Sequence, residues 1–93
     1  MIKSFRDKEA ESIWEGKLSR RLSMDIQQAA RRKMRMLNNS HTLDDLRIPP
    51  GNRLDALKGN RSGQYSLRIN DRWRICFVWS EADAWDVEIV DYH

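Results

Sequence analysis

The last three residues, Asp91-Tyr92-His93, bring together three side chains that can hold or move protons. Chain ends normally fray, which makes them poor places for precise chemistry. The preceding run 85–90 alternates like a strand, so we predict that a sheet edge fixes this terminal trio in place. His93 can then act as an acid or a base, because an imidazole titrates near neutral pH. The competing interpretation is that the trio is an ordinary tail.

Basic residues lie just upstream of the trio. Residues 48–74 carry six basic and two acidic side chains, whereas residues 75–93 carry five acidic side chains and no Lys or Arg. Five of the six basic residues are arginines, whose guanidinium binds phosphate through two parallel hydrogen bonds. The six are Arg53, Lys58, Arg61, Arg68, Arg72 and Arg74. If folding gathers them, they predict a phosphate-binding surface with RNA as the leading ligand; otherwise they only keep the protein soluble.

Cleavage of an RNA phosphodiester needs a base, an acid and cations that neutralise the charge building on phosphorus. Lys58 and Arg74 are candidates for the cations. Asp91 can orient a neighbouring group or accept a proton, and Tyr92 can donate to phosphate or act as a base. The plainer alternatives are that Arg74 pairs with Glu88 across the strands and that Lys58 is a solubilising edge residue.

Two helices are predicted in the first half of the chain. Asp7 is a candidate N-cap for a helix through Ile13-Trp14, with Gly16 ending it. Ser23 is the N-cap candidate of a second helix, whose apolar positions recur every three or four residues and which ends at 38–40. The mixed segment 1–5 is predicted to be a first strand.

After Pro49-Pro50-Gly51 the apolar period changes to two, which predicts strands at 54–58, 65–69, 73–79 and 85–90 joined by turns. The expected fold is α+β, with two N-terminal helices on one face of an antiparallel sheet. The sheet should contribute Tyr65, Leu67, Ile69, Trp73, Ile75, Phe77, Trp79, Trp85, Val87 and Ile89 to the core. The opposite face should be polar and partly open, and should carry Ser66, Arg68, Arg74, Glu88 and Tyr92.

Length and composition narrow the function classes. We expect residues 1–93 to form one domain, since the chain is too short for two cores. No apolar run reaches the roughly 20 residues of a membrane span, and the N-terminus lacks a secretory signal. The single cysteine, Cys76, fits a reducing compartment, so we predict a cytoplasmic protein. Two distant histidines and one cysteine offer no zinc spacing, and no metal or other cofactor is expected.

Three segments together resemble the HigB toxins of the RelE/ParE superfamily, the killer components of plasmid-maintenance and chromosomal toxin–antitoxin systems. They are Pro49–Gln64 with its Leu-Lys-Gly motif, Ile69–Phe77 with Asn-Asp-x-Trp-Arg, and Val87–His93 with the terminal Asp-Tyr-His. The resemblance covers the whole chain and is strongest from Pro49 onward. It implies a compact RelE-like domain and a ribosome-dependent endoribonuclease that cleaves mRNA in the decoding site.

By this resemblance, Lys58, Arg74, Asp91, Tyr92 and His93 fall on the family's functional positions. Asp55 stands where a well-studied branch of the family has a histidine, so we expect an altered rate or codon preference rather than loss of activity. The family also implies a helix-turn-helix antitoxin, HigA-like, that binds operator DNA and sits away from the cleavage face.

Two other functions stay open on the sequence. ParE-like relatives inhibit DNA gyrase by binding and cleave no RNA, and fold alone does not separate the two activities. A non-catalytic RNA-binding module that helps to repress its own operon is the third possibility.

Overall fold

The computed structural model describes residues 1–91, and it contains two helices followed by a four-stranded antiparallel sheet. Helix α1 spans Lys8–Trp14 and helix α2 spans Met24–Asn39. The strands are β1 Asp55–Ala56, β2 Gln64–Arg68, β3 Trp73–Ser80 and β4 Asp83–Asp91, in the spatial order β1-β2-β3-β4. The predicted α+β architecture is confirmed. Tyr92 and His93 lie outside the described residues.

Both helices begin and end where the sequence predicts. Asp7 caps α1 by accepting a hydrogen bond from the Ala10 amide at 2.6 Å, and Gly16, with φ of +88°, follows its end. Ser23 caps α2 through the Ile26 amide. These signals are local, because a side chain two or three residues away satisfies the orphan N–H groups of the first turn.

The helices cover one face of the sheet and form the core with it. The largest buried side chains include Ile13, Met34 and Leu37 from the helices and Leu67, Ile75, Phe77 and Val87 from the sheet. Tyr65 stacks on Phe77, with ring centroids 6.1 Å apart. Every apolar sheet position predicted for the core is buried or packs against it, with the exception of Trp85.

The prediction for Trp85 is wrong because β4 carries a β-bulge. Asp86 has a φ of +53°, and the β3–β4 register shifts by one residue at this point. A bulge inserts one unpaired residue and so reverses the alternation of side chains beyond it. Ala84 therefore takes the core position, and Trp85 is 37% exposed on the other face.

The N-terminal segment, predicted as a strand, makes isolated bridges instead. Ile2 pairs with Ala84 and Phe5 with Val87, both parallel, so the segment covers the outer edge of β4. The ladder continues through side chains: the Ser4 hydroxyl accepts from the Asp86 amide at 2.8 Å. Asp7 accepts from the Ile89 amide at 3.1 Å. An edge that natural proteins must protect from pairing with other chains is thereby closed.

The strand predicted at 54–58 is shorter, covering only Asp55–Ala56, although the Leu57 amide still bonds the Gln64 carbonyl at 2.8 Å. Lys58 then precedes a 3₁₀ helix at Gly59–Arg61, where the sequence predicts a simple turn. No helix among residues 1–91 is long and apolar enough to cross a bilayer.

Candidate functional site

The candidate site lies on the sheet face opposite the helices. Residues directly opposed in an antiparallel sheet share a face, so Asp55, Ser66, Cys76 and Glu88 form one row across the four strands. The next row contains Arg68, Arg74 and Val90. This face is only partly open, as the sequence predicts, since Ser66 and Cys76 at its centre are buried. Long polar side chains cover them.

Arg74 is held by three acceptors, and together these groups form what we call the Arg74 cluster. Its Nε donates to the Ser66 hydroxyl at 2.8 Å. Its Nη2 donates to the Arg53 carbonyl at 2.6 Å and to Asp55 Oδ2 at 3.2 Å. The side chain is only 14% exposed. Among residues 1–91, the Nη1 amino group makes no hydrogen bond, so it can still donate one.

The loop before β1 positions the Arg53 carbonyl. Pro50–Asn52 form a 3₁₀ helix, and Arg53 ends it with a φ of +44°, an uncommon value for a residue with a side chain. Asn52 is fully buried and donates to the Leu46 carbonyl at 3.2 Å. Lys33 of α2 donates to its side-chain oxygen, and partial burial lowers the pKa of Lys33. Asn52 thus anchors the loop against α2.

A second group, the Glu88 cluster, occupies the same face beside Cys76. Arg61 Nη2 donates to Glu88 Oε2 at 2.8 Å and to Gln64 Oε1 at 3.0 Å. Arg6 approaches the same carboxylate oxygen at 3.7 Å. The expected cross-strand pair of Arg74 with Glu88 is therefore replaced by Arg61 with Glu88. The reason is that the 3₁₀ helix folds Arg61 over the sheet, while Arg74 reaches the edge strand.

Cys76 lies between the two clusters. Burial raises the pKa of its thiol, the Arg61 and Arg74 charges oppose that shift, and Glu88 reinforces it. A buried thiol in this state is an inert part of the core rather than a nucleophile.

The end of β4 is tied to the β2–β3 turn. Arg72 Nε and Nη2 donate to the two carboxylate oxygens of Asp91 at 2.8 and 2.7 Å, a bidentate pair. This pairing raises the pKa of Arg72, whose guanidinium also lies 5.3 Å from the Trp73 ring centroid. The bidentate pair thus fixes the carboxylate of Asp91 against the β2–β3 turn.

The predicted cations fall into two groups. Four arginines of the set face carboxylates: Arg61 with Glu88, Arg68 with Asp71, Arg72 with Asp91, and Arg74 with Asp55. Within residues 1–91, the exposed side chains of Arg53 and Lys58 have no such pair. Lys58 lies three residues beyond Asp55, about 10 Å along an extended chain. Tyr92 and His93, the remaining predicted site residues, lie outside the described residues.

Sequence reasoning missed two contributors. Ser66 was assigned to the right face without a role, yet it is the inner acceptor of Arg74. Asn52 gives no sign of a role in the sequence, yet its complete burial makes it the anchor of the loop before β1. In the described part of the chain, no group of three or more His, Cys, Asp or Glu is arranged to hold a metal ion.

The fold is that of the RelE-like toxins. A solved structure of the YoeB-YefM complex from Staphylococcus aureus matches with a TM-score of 0.64 over 100% of this chain and 98% of that one, at 14% identity. A family model described as the RelE-like toxin of type II toxin-antitoxin system HigB matches residues 3–93. The chain belongs to this family of HigB-like toxins, so its system includes an antitoxin partner.

Two individual proteins with HigB in their names are similar to this chain. Toxin HigB-1 of Vibrio cholerae is 39% identical over 85 residues, which are 90% of each chain. Endoribonuclease HigB of Proteus vulgaris is also 39% identical, over 41 residues that cover 44% of this chain and 45% of that one.

Proposed function

We propose that this toxin is a ribosome-dependent endoribonuclease that cleaves mRNA in the decoding site and so stops translation in the cytoplasm. The observation that carries the proposal is the Arg74 cluster, a nearly buried guanidinium whose Nη1 group can still donate a hydrogen bond, in a chain of the HigB-like family. The name of the Proteus vulgaris relative, an endoribonuclease, supports the same reaction class.

In this reaction Arg74 contacts the scissile phosphate and stabilises the charge that builds on it. A fixed donor in a site of low water content stabilises such charge more than a mobile one, because it needs no reorganisation during the reaction. Ser66 and the Arg53 carbonyl supply that fixation. Lys58, an exposed cation, holds the scissile phosphate together with Arg74, and the exposed Arg53 side chain holds a flanking phosphate.

The acid–base groups come from the end of the chain. Arg72 holds Asp91 through both oxygens, so Asp91 orients the neighbouring residues. Tyr92 and His93 then carry out the two proton transfers: one removes the 2′-hydroxyl proton and the other protonates the leaving 5′-oxygen, in either order of assignment. Arg61, Arg68 and Arg72 act on RNA only through their residual field, because each is paired with a carboxylate. The reaction needs no metal ion in this scheme.

The antitoxin we propose is a HigA-like helix-turn-helix protein that represses the operon through operator DNA. It binds away from the Arg74 cluster and blocks entry to the ribosome by its bulk.

Mapping of mRNA 5′ ends after a short pulse of expression tests the proposal. Wild type should create new ends within translated codons, and Arg74→Gln and Tyr92→Ala should abolish them. Arg47→Ala is the matched control, because Arg47 forms an exposed ion pair with Asp44 at 3.2 Å. It should cleave like wild type. Thermal denaturation of Arg74→Gln excludes loss of the fold as the cause.

Growth arrest without new 5′ ends would refute the ribonuclease. Arrest with DNA damage and intact mRNA would then point to a gyrase-directed toxin. RNA binding on ribosomes without cleavage would point to a binding module.

A further inference from the structure

The carboxylate of Asp55 pairs with Arg74, the arginine that we propose binds the RNA phosphate. The Asp55 carboxylate accepts from Arg74 Nη2 at 3.2 Å. The two partners differ in exposure, since the side chain of Arg74 is 14% exposed and that of Asp55 is 66% exposed. The carboxylate therefore approaches the guanidinium from the solvent side, which is also the side from which RNA arrives.

Asp55 contributes little to holding Arg74 in place. The Ser66 hydroxyl and the Arg53 carbonyl bind the guanidinium at 2.8 and 2.6 Å, both closer than Asp55 at 3.2 Å, and Ser66 is itself buried. Asp55 lies on a two-residue edge strand whose residues are both exposed. An exposed carboxylate changes rotamer at small cost, so its contact with Arg74 is the one that yields first.

We propose that Asp55 is an internal competitor of RNA phosphate: it neutralises Arg74 in the free toxin and is displaced when the phosphate binds. The inference rests on the proposed function, because it takes Arg74 as the phosphate-binding residue. Two anions on one guanidinium repel each other, so phosphate must displace the carboxylate or bind beside it at reduced affinity. Asp55 thus sets the affinity of the site for RNA.

Binding of a single-stranded RNA oligonucleotide with 2′-O-methyl riboses measures this directly, because that backbone lacks the nucleophile for cleavage. Asp55→Asn keeps the shape and an acceptor oxygen but removes the charge. We expect it to bind the oligonucleotide about two- to fivefold more tightly than wild type, the range that one exposed ion pair spans. Asp44→Asn is the matched control: Asp44 also pairs with an arginine at 3.2 Å, and its loss changes the net charge equally.

A double-mutant cycle separates competition at Arg74 from a general gain in positive charge. In an Arg74→Gln background, Asp55→Asn should improve binding no more than Asp44→Asn does. An equal gain in both backgrounds would overturn the proposal, since Asp55 would then act on RNA without Arg74. Weaker binding by Asp55→Asn would overturn it too, because the carboxylate would be supporting the site.

The binding assay and the 5′-end mapping fail independently. A wild type that binds the oligonucleotide but creates no new mRNA ends refutes the ribonuclease and leaves the competition measurable. A wild type that cleaves mRNA while Asp55→Asn matches Asp44→Asn in affinity refutes the competition alone. Absence of RNA binding by all variants, including Asp55→Asn, overturns it as well.

Discussion

Asp7 links helix α1 to the last strand, and its replacement should reveal how strongly. One carboxylate oxygen accepts from the Ala10 amide at 2.6 Å and caps α1. The other accepts from the Ile89 amide at 3.1 Å, where the N-terminal segment has turned away from β4. The side chain of Asp7 therefore serves both as the N-cap of α1 and as a hydrogen-bond acceptor for the edge of β4.

The two contacts predict a large effect for a half-buried residue at the surface. Loss of an N-cap costs about 1 kcal/mol. Loss of a charged acceptor, which leaves the partly buried Ile89 amide unsatisfied, costs about 1–3 kcal/mol more. Asp7→Ala should thus lower the free energy of unfolding by about 2–4 kcal/mol, or Tm by roughly 4–8 °C per kcal/mol for a domain of this size.

Urea denaturation followed by tryptophan fluorescence measures the loss, and two variants dissect it. Asp7→Asn retains an oxygen for Ala10 but turns an NH₂ group towards Ile89, so it should lose only the second contribution. Ser23→Ala removes a cap of α2 that makes no second side-chain hydrogen bond within residues 1–91, and should cost about 1 kcal/mol. If Asp7→Ala is no worse than Ser23→Ala, or if Asp7→Asn equals wild type, the link to Ile89 contributes nothing and the reasoning fails.

Two further predictions concern the site face. Arg72→Ala and Asp91→Ala should each reduce mRNA cleavage by about ten- to a hundredfold, as expected when a catalytic group loses its position. The double variant should cleave mRNA no more slowly than either single variant, whereas additive losses of cleavage would show that Arg72 binds RNA itself. Urea denaturation should show no change in stability for Arg72→Ala, since its ion pair with Asp91 is exposed. Burial raises the pKa of Cys76 above its ordinary value of 9.0, so the folded state resists deprotonation more than the unfolded state does. The stabilising contribution of the Cys76 thiol is therefore complete below pH 9.0 and is lost as the pH rises above it. Wild type should lose more stability between pH 8 and about 10.5 than Cys76→Ala does, as measured by denaturation at each pH. Equal losses in the two proteins would contradict the raised pKa.

The helices and the core were predictable because their signals are local. Asp7, Ser23 and Gly16 define helix ends within a few residues, and periodicity identifies the faces. The bulge at Asp86 was not predictable, because an aspartate in a strand run gives no sign of a positive φ. What stabilises it is the Ser4 hydroxyl, which is 82 residues away along the chain. One such residue is enough to turn Trp85 out of the core.

The candidate site was also predictable only in part. Strand alternation placed Arg68 and Arg74 on the face opposite the helices, and their register confirms that they are neighbours there. Their partners were beyond sequence reasoning, because a 3₁₀ helix and a two-residue edge strand decide which carboxylate each arginine meets. Glu88 pairs with Arg61, 27 residues away, instead of Arg74. Asp55, which is 19 residues away along the chain, pairs with Arg74 instead of Glu88.

These pairings change what the net charge of +3 means. Paired arginines attract RNA weakly at a distance, because each carboxylate cancels most of the field of its partner in water. Arg53 and Lys58, which have no carboxylate partner within residues 1–91, keep their fields. Arg53 also contributes its carbonyl to the Arg74 cluster, and Lys58 lies three residues from both Asp55 and Arg61, between the two clusters along the chain. An arginine-rich surface of this kind selects a ligand by the position of its phosphates more than by its total charge, which suits the proposed cleavage of one phosphodiester among many.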